Sequence, residues 1–405
     1  LEALPSIRFF CTRDGRLNWK GRWRMSVKVV QVVSSVAAES SGPSYSVPGL
    51  CSGLRVAGCD VHLYFAGKDP SREMEFPYDV RPMSKFPHPR LGRSPELLRL
   101  LKAACSQADV IHSNGLWMYP NVYPAWAVKG TRCKLVSSPR GTLATWSLER
   151  HKWRKRLFGV YAQYAALRAT DMWHATCEKE YEEIRAAGFR QPVAIVPIGM
   201  EIPSGAETAR PRNGEKRTVA FFGRIHKVKA VDSLVLAWEK ASARHPAWEL
   251  VVAGPDGGMV EALKAIIAER KIANVRFTGE INGAAKYAFL SSVNLYVLPS
   301  HPENFGVTVA EALACGTPVI ASRHTPWGGV VENRCGWCVS NDVGTLAVTL
   351  DEAMSLPQET LKGRGVRGRE WIRRDFSWEK VGRTMLSAYE WLCRGGERPA
   401  CVRVD

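Results

Sequence analysis

The sequence has no run approaching the roughly 18 consecutive apolar residues of a membrane-spanning helix, which excludes a helical integral membrane protein. Its first 24 residues, LEALPSIRFFCTRDGRLNWKGRWR, lack the apolar core of a secretory signal and mix charges with aromatics. We expect residues 1–24 to be a disordered upstream extension before Met25; a short ordered arm is the alternative. The eleven cysteines follow no repeating spacing, so no disulfide framework is implied. With no export signal, a reducing cytoplasm is the expected setting. One C-x-x-C, Cys335 to Cys338, has redox spacing, but a zinc site would need a second pair and none occurs. Repeats and low-complexity tracts are also absent.

Acidic residues are scarce: 39 Asp and Glu face 56 Lys and Arg, for a net charge of +17. The imbalance is local. Residues 85–156 carry Lys85, Arg90, Arg93, Arg99, Lys102, Lys129, Arg132, Lys134, Arg140, Arg150, Lys152, Arg154, Lys155 and Arg156. Only Glu96, Asp109 and Glu149 oppose them. A basic face confined to one region implies an anionic partner: phospholipid headgroups, a phosphorylated substrate or nucleic acid.

Short β-rich runs, each followed by a helix-like stretch, recur in two series. The first comprises 28–33, 60–65, 109–113, 134–138, 172–176 and 193–197. The second comprises 218–223, 249–254, 275–279, 294–300 and 317–322. Continuous apolar strands alternating with helices predict parallel sheets covered on both faces. Between the series, residues 201–217 are rich in Pro, Gly and charge and read as a linker. The expected fold is therefore α/β, with two Rossmann-like doubly wound domains over 25–205 and 206–374, and a closing helix and tail over 375–405. Ligands of such sheets sit at the carboxyl ends of the strands, and two such edges can face one cleft.

In HPENFGVTVAEALACGTPVIAS (301–322), Glu303 falls in a loop after a strand and Glu311 on the second turn of the next helix. The amides around Asn304, Phe305 and Gly306 open that helix, a natural seat for phosphate oxygens. One carboxylate could accept bonds from sugar hydroxyls and the other from a ribose. A solvated helix glutamate beside a loop glutamate is the alternative. In FFGRIHKVKAVDSL (221–234), Gly223 ends a strand, and Arg224 and Lys229 follow where they could neutralise a diphosphate. Gly254 and Gly279 end the intervening strands, where a nucleotide base could approach backbone.

Residues 218–322 resemble the donor-binding domain of retaining glycosyltransferases of family 4, also called group 1, which have the two-domain GT-B fold. The matching pieces are G-R-x4-K (Gly223, Arg224, Lys229), the strand-end glycines and the E-x7-E element with its ENFG opening. The resemblance implies that Glu303 contacts the donor sugar, Glu311 the ribose, and Arg224 with Lys229 the diphosphate. DFSWEKVGRTMLSAYEWL (375–392) is similar to the family's closing helix, which crosses back onto the N-terminal domain. By the same resemblance, the N-terminal domain binds the acceptor and Gly42 approaches the donor phosphates. Many relatives carry a histidine where SSPRG stands, but this chain has Arg140, which could contact an acceptor phosphate. His112 is a further acceptor-side candidate, with a packed, hydrogen-bonded histidine as the alternative.

The implied activity is metal-independent transfer of a hexose from a nucleotide diphosphate sugar to a lipid-linked or cell-surface polysaccharide acceptor, with no cofactor beyond the donor. No Asp-x-Asp occurs, so Arg224, Lys229 and helix amides are expected to stabilise the leaving diphosphate. LERHKWRKRLFGVYAQYAALRA (148–169) has helical spacing and suits a helix on an anionic membrane surface, which places the protein peripherally on the inner face of the cytoplasmic membrane. A solvated basic helix is the alternative there. A sugar-nucleotide epimerase of the same fold and a non-catalytic nucleic-acid-binding protein are the rival functions. No recognised nucleic-acid motif occurs, and no nucleic-acid partner is expected.

Overall fold

A computed structural model describes residues 26–36, 42–66, 79–83, 91–144, 147–148, 152–203, 216–301 and 303–404. The extension 1–24, most of the 201–217 linker, and Lys85, Arg90 and Arg150 lie outside this set, as do the side chains of Lys152 and Arg154.

The described strands form two sheets. The first contains β1 (Lys28–Val33), β2 (Asp60–Ala66), β3 (Asp79–Met83), β4 (Val110–Asn114), β5 (Lys134–Ser138), β6 (Met172–Ala175) and β7 (Val193–Ile195). The second contains β8 (Arg217–Phe222), β9 (Trp248–Ala253), β10 (Val275–Gly279), β11 (Leu295–Leu298), β12 (Val319–Ser322) and β13 (Gly336–Val339). A two-residue strand, β14 (Val402–Arg403), returns to the first sheet and pairs antiparallel with β7. The strand orders are β14-β7-β6-β5-β4-β1-β2-β3 and β10-β9-β8-β11-β12-β13. All other pairings are parallel. β11 and β12 are buried along their whole length, which is why they read as near-continuous apolar runs; β4 is equally buried but carries His112, Ser113 and Asn114. Each sheet starts at its centre, builds one way and then reverses, between β1 and β4 in the first and β8 and β11 in the second. Those crevices are where doubly wound sheets receive ligands.

The chain crosses back after residue 376. The helix Gln358–Phe376 ends there, and Ser377 caps the next helix, Trp378–Arg394, through the Lys380 amide. This helix lies against Gly42–Val56, the helix after β1. The approach is backbone on backbone: a Cβ on Gly382 would stand 2.1 Å from the Gly53 carbonyl oxygen. Two large residues fix the crossing. Trp378 packs on both cores, and buried Tyr389 lies in the first.

Three strands escape the sequence pattern. β3 holds Pro82 and is an edge strand, the place where a missing N–H is tolerated. β14 is too short to show periodicity. β13 is the stretch that presents as C-x-x-C: buried Cys335 precedes it and bonds the Val330 carbonyl at 3.5 Å, and Cys338 sits within it. Burial pushes the Cys335 thiol up to about 11, which makes it a packing residue. Among the described residues, no helix is long and apolar enough to cross a membrane.

Candidate active site

The second switch point is assembled by two strand-ends. β8 ends at Gly223, with φ 148°, opposite Gly254, with φ 133°. A Cβ on Gly254 would fall 2.1 Å from the Gly223 carbonyl oxygen, so the two loops close together only with glycine there. Next, Ile225 donates to Pro255 O at 2.9 Å and Gly257 donates back to Ile225 O at 2.9 Å. This clamp leaves Arg224 exposed at the sheet edge. A single 3-10 turn, Lys227–Lys229, capped by His226, then turns Lys229 towards the loop after β11.

That loop leads into the helix Val307–Ala314 through Gly306, held in the left-handed region at φ 71°. The Phe305 ring is buried among Trp327 and Phe376, and its carbonyl accepts from the Trp327 indole, so the side chain anchors the loop whose amides open the helix. Glu303 pairs with Lys229. Glu311, 5% exposed, pairs with Lys286 Nζ at 2.7 Å. Burial pushes the Glu311 carboxyl up, and the Lys286 charge pulls the other way. Buried Tyr296 lies under both, meeting Thr308 Oγ1 at 2.6 Å and donating to Phe222 O at 3.1 Å. Burial and then both glutamates push its phenol up. Glu303, Glu311, Arg224, Lys229 and the strand-end glycines thus come from distant sequence to one sheet edge.

The N-terminal half meets this edge directly. Asn304 Nδ2 donates to Thr176 Oγ1 at 3.3 Å, and Cys177 Sγ donates to Asn304 O at 3.1 Å. Asn304 therefore joins the two halves. Gly42 opens the helix Gly42–Val56 with open space beside its Cα. One turn on, the Tyr45 ring faces Lys286 Nζ at 5.8 Å. The Tyr45 phenol, pushed up to about 12 mainly by burial, accepts from the Glu201 amide at 3.4 Å. Arg140, with φ 54°, follows β5 and donates to Asn114 Oδ1 at 2.8 Å.

His112 must be set aside as a substrate ligand. It has no exposed surface, and its Nδ1 lies 2.6 Å from the Tyr389 hydroxyl and 3.2 Å from Gln31 Nε2. Burial, then His174 and Arg140, holds its pKa well below 6.5. It is a packed, neutral histidine under the closing helix.

Lys286 and Tyr45 are the residues that sequence reasoning missed. Lys286 sits on the helix Ala284–Ser292 after β10, with its Nζ 4.7 Å from the Tyr287 ring centre. The only sequence signal was a lysine two positions into the helix after a strand that ends in glycine.

Two doubly wound sheets joined by a crossover helix, with lysine–glutamate pairs at the second switch point, define the GT-B fold. The chain belongs to the glycosyl transferases group 1. That family's model matches residues 207–371, and the model of the glycosyl transferase 4-like domain matches residues 41–199. The chain is 26% identical over 228 residues to glycogen synthase of Mycobacterium tuberculosis, covering 56% of this chain and 54% of that protein. It is 33% identical over 254 residues to D-inositol 3-phosphate glycosyltransferase of Gordonia bronchialis, covering 57% and 54%. The chain thus spans about half the length of the curated relatives it matches. In fold it is similar to HepE of Anabaena, solved in complex with UDP and glucose, with TM-score 0.70 and 16% identity over 89% of this chain and 99% of that one.

Proposed function

We propose that the protein is a retaining hexosyltransferase that takes a sugar from a nucleoside diphosphate donor and passes it to a lipid-linked or surface polysaccharide acceptor. The observation that carries this reading is the gathering of Arg224 and two Lys–Glu pairs at the second switch point. Arg224 and Lys229 take the diphosphate, helped by the amides that open Val307–Ala314. Glu311 accepts from the ribose hydroxyls and Glu303 from the sugar. Both carboxylates are already held by lysines, so donor binding exchanges one polar partner for another instead of desolvating a bare charge.

Transfer breaks the bond between the anomeric carbon and the diphosphate oxygen, and negative charge develops on that oxygen. Arg224 and Lys229 stabilise it without calling on a divalent ion. The acceptor hydroxyl attacks from the same face, and the departing phosphate oxygen takes its proton. The acceptor is held by the N-terminal half, already linked to the donor loop through Asn304. UDP bound to HepE and the glycosyltransferase relatives support the donor class.

A lipid-linked acceptor fits the outer face of the N-terminal half. Trp153, Leu157, Val160 and Tyr161 are exposed by 66%, 53%, 69% and 80%, and their spacing puts them on one stripe, with exposed Arg156 nearby. Exposed aromatics and aliphatics beside cations suit an anionic bilayer surface, here the inner face of the cytoplasmic membrane.

The test is to incubate wild type with labelled UDP-, GDP-, ADP- and CDP-hexoses and lipid-linked saccharides, and to determine the product's anomeric configuration by NMR. The product should keep the donor's anomeric configuration. An inverted product would contradict the mechanism, and an epimerised sugar formed without acceptor would favour an epimerase of the same fold.

A further inference from the structure

The first switch point holds its own polar pocket, apart from the set formed by Arg224, Lys229, Glu303 and Glu311. Between the ends of β1 and β4 lies a cavity of about 200 Å3 lined by Ser34, Pro43, Ser44, Asn114, Asn121 and Arg140. At about 30 Å3 per water it has room for roughly six waters, enough to receive part of a sugar ring.

Arg140 enters this cavity with unusual partners. Its Nη2 and Nε donate to Asn114 Oδ1 at 2.8 and 3.3 Å, so its nearest partner is a dipole and not a charge. Among the described residues, no carboxylate forms an ion pair with it. Glu180 is near enough to favour the charge, but its oxygens accept from the Gly141 amide at 2.6 Å, and from the Thr176 amide and hydroxyl at 2.7 and 2.8 Å. The neighbouring imidazoles offer no anion. Burial keeps both His112 and His174 neutral, the latter down at about 3. Arg140 is only partly exposed, and its left-handed backbone, with φ 54°, is costly for a residue other than glycine. Independently, Ser44 lines the same cavity, and its buried Oγ has no hydrogen-bond partner among the described residues. A cation paired with a neutral amide and a serine with an unpartnered hydroxyl line one cavity.

We propose that this pocket binds an anionic group on the acceptor sugar, a carboxylate or a phosphate, so that the acceptor is an acidic or phosphorylated saccharide. The inference rests on the transferase reading and names its acceptor class. The donor diphosphate is a poor occupant, because Arg224 and Lys229 already meet it from the opposite sheet. Ser34 supplies a neutral contact to the ring, and Arg140, oriented by Asn114, reads the charge.

The experiment is binding to the full chain of three probes, glucuronate, glucose 6-phosphate and glucose, by saturation-transfer NMR. Nucleoside diphosphate affinity is measured in parallel. At least one anionic probe should bind tenfold or more tightly than glucose, and which one does so separates carboxylate from phosphate. Arg140→Gln keeps a donor for Asn114 Oδ1 but loses the charge, and should abolish that preference while leaving nucleotide affinity unchanged. Arg140→Lys should restore part of it. Equal binding of all three probes by a protein that still binds nucleotide would overturn the inference and leave the transferase reading standing. A parallel loss of nucleotide affinity in Arg140→Gln would assign the anion to the donor and overturn it too.

Discussion

Glu311 shows how far a residue's role can be read before its neighbours are known. The E-x7-E spacing is in the sequence, and helical geometry alone turns Glu311 towards the loop of Glu303. Lys286, its partner, lies 25 positions upstream and reaches it only because β10 and β11 belong to the same sheet. His112 failed for the opposite reason: its strand-end position was legible, but the Tyr389 hydroxyl over it comes from the far end of the chain. Glu311 has a distinctive pH signature. Its folded pKa lies above the ordinary 4.5, so the folded state holds the proton more tightly than the unfolded state. Its contribution to stability is therefore greatest at acid pH and declines as pH rises from 4.5 through the raised value. Ribose binding needs the carboxylate and should strengthen over the same interval. Glu311→Gln should remove both slopes, read as urea midpoints and nucleotide affinities from pH 4 to 7, on the order of the ordinary carboxyl range. It should also weaken nucleoside diphosphate binding about tenfold or more, the loss of one charged hydrogen bond. Lys229→Ala should lower kcat by about 10²–10³ with near-native stability, measured in steady-state transfer assays.

At the scale of elements, strands such as β8, β9 and β11 were legible because burial writes them as apolar runs. β13 was hidden by its cysteines, and β14 needs tertiary pairing to exist at all. Where two backbones touch, the glycines carry the geometry. Gly382→Ala would set a methyl 2.1 Å from Gly53 O and wedge the closing helix off its partner. We expect a loss of about 3 kcal/mol in chemical denaturation, at the upper end for overpacking. Gly254→Ala pushes on Gly223 O, also at 2.1 Å, but at the site itself. It should weaken nucleotide binding as well as stability, whereas Gly382→Ala should leave the affinity of the folded fraction near wild type.

For the whole molecule, the two-domain plan was legible from two series of strands and a linker, whereas the contact between halves was not. Asn304 on Thr176 and Tyr45 over Lys286 join residues more than a hundred positions apart, and no local pattern announces them. The basic surplus over 85–156 pointed to an anionic partner, and the exposed stripe at Trp153, Leu157, Val160 and Tyr161 is the apolar half of the bilayer contact we propose. The full chain should sediment with vesicles containing phosphatidylserine, release them as salt rises, and ignore neutral ones. Leu157→Ser with Tyr161→Ser should cut that binding severalfold without changing nucleotide affinity. Binding that survives both substitutions would move the contact elsewhere.

The central claim, a nucleoside diphosphate sugar site at the second switch point, is tested most directly by thermal unfolding of wild type, Glu311→Ala and Lys229→Ala with UDP, GDP, ADP and CDP and their sugars. The account predicts that one nucleotide family raises the wild-type Tm and that both substitutions shrink the rise. No rise with any of them, in well-folded protein, would contradict it.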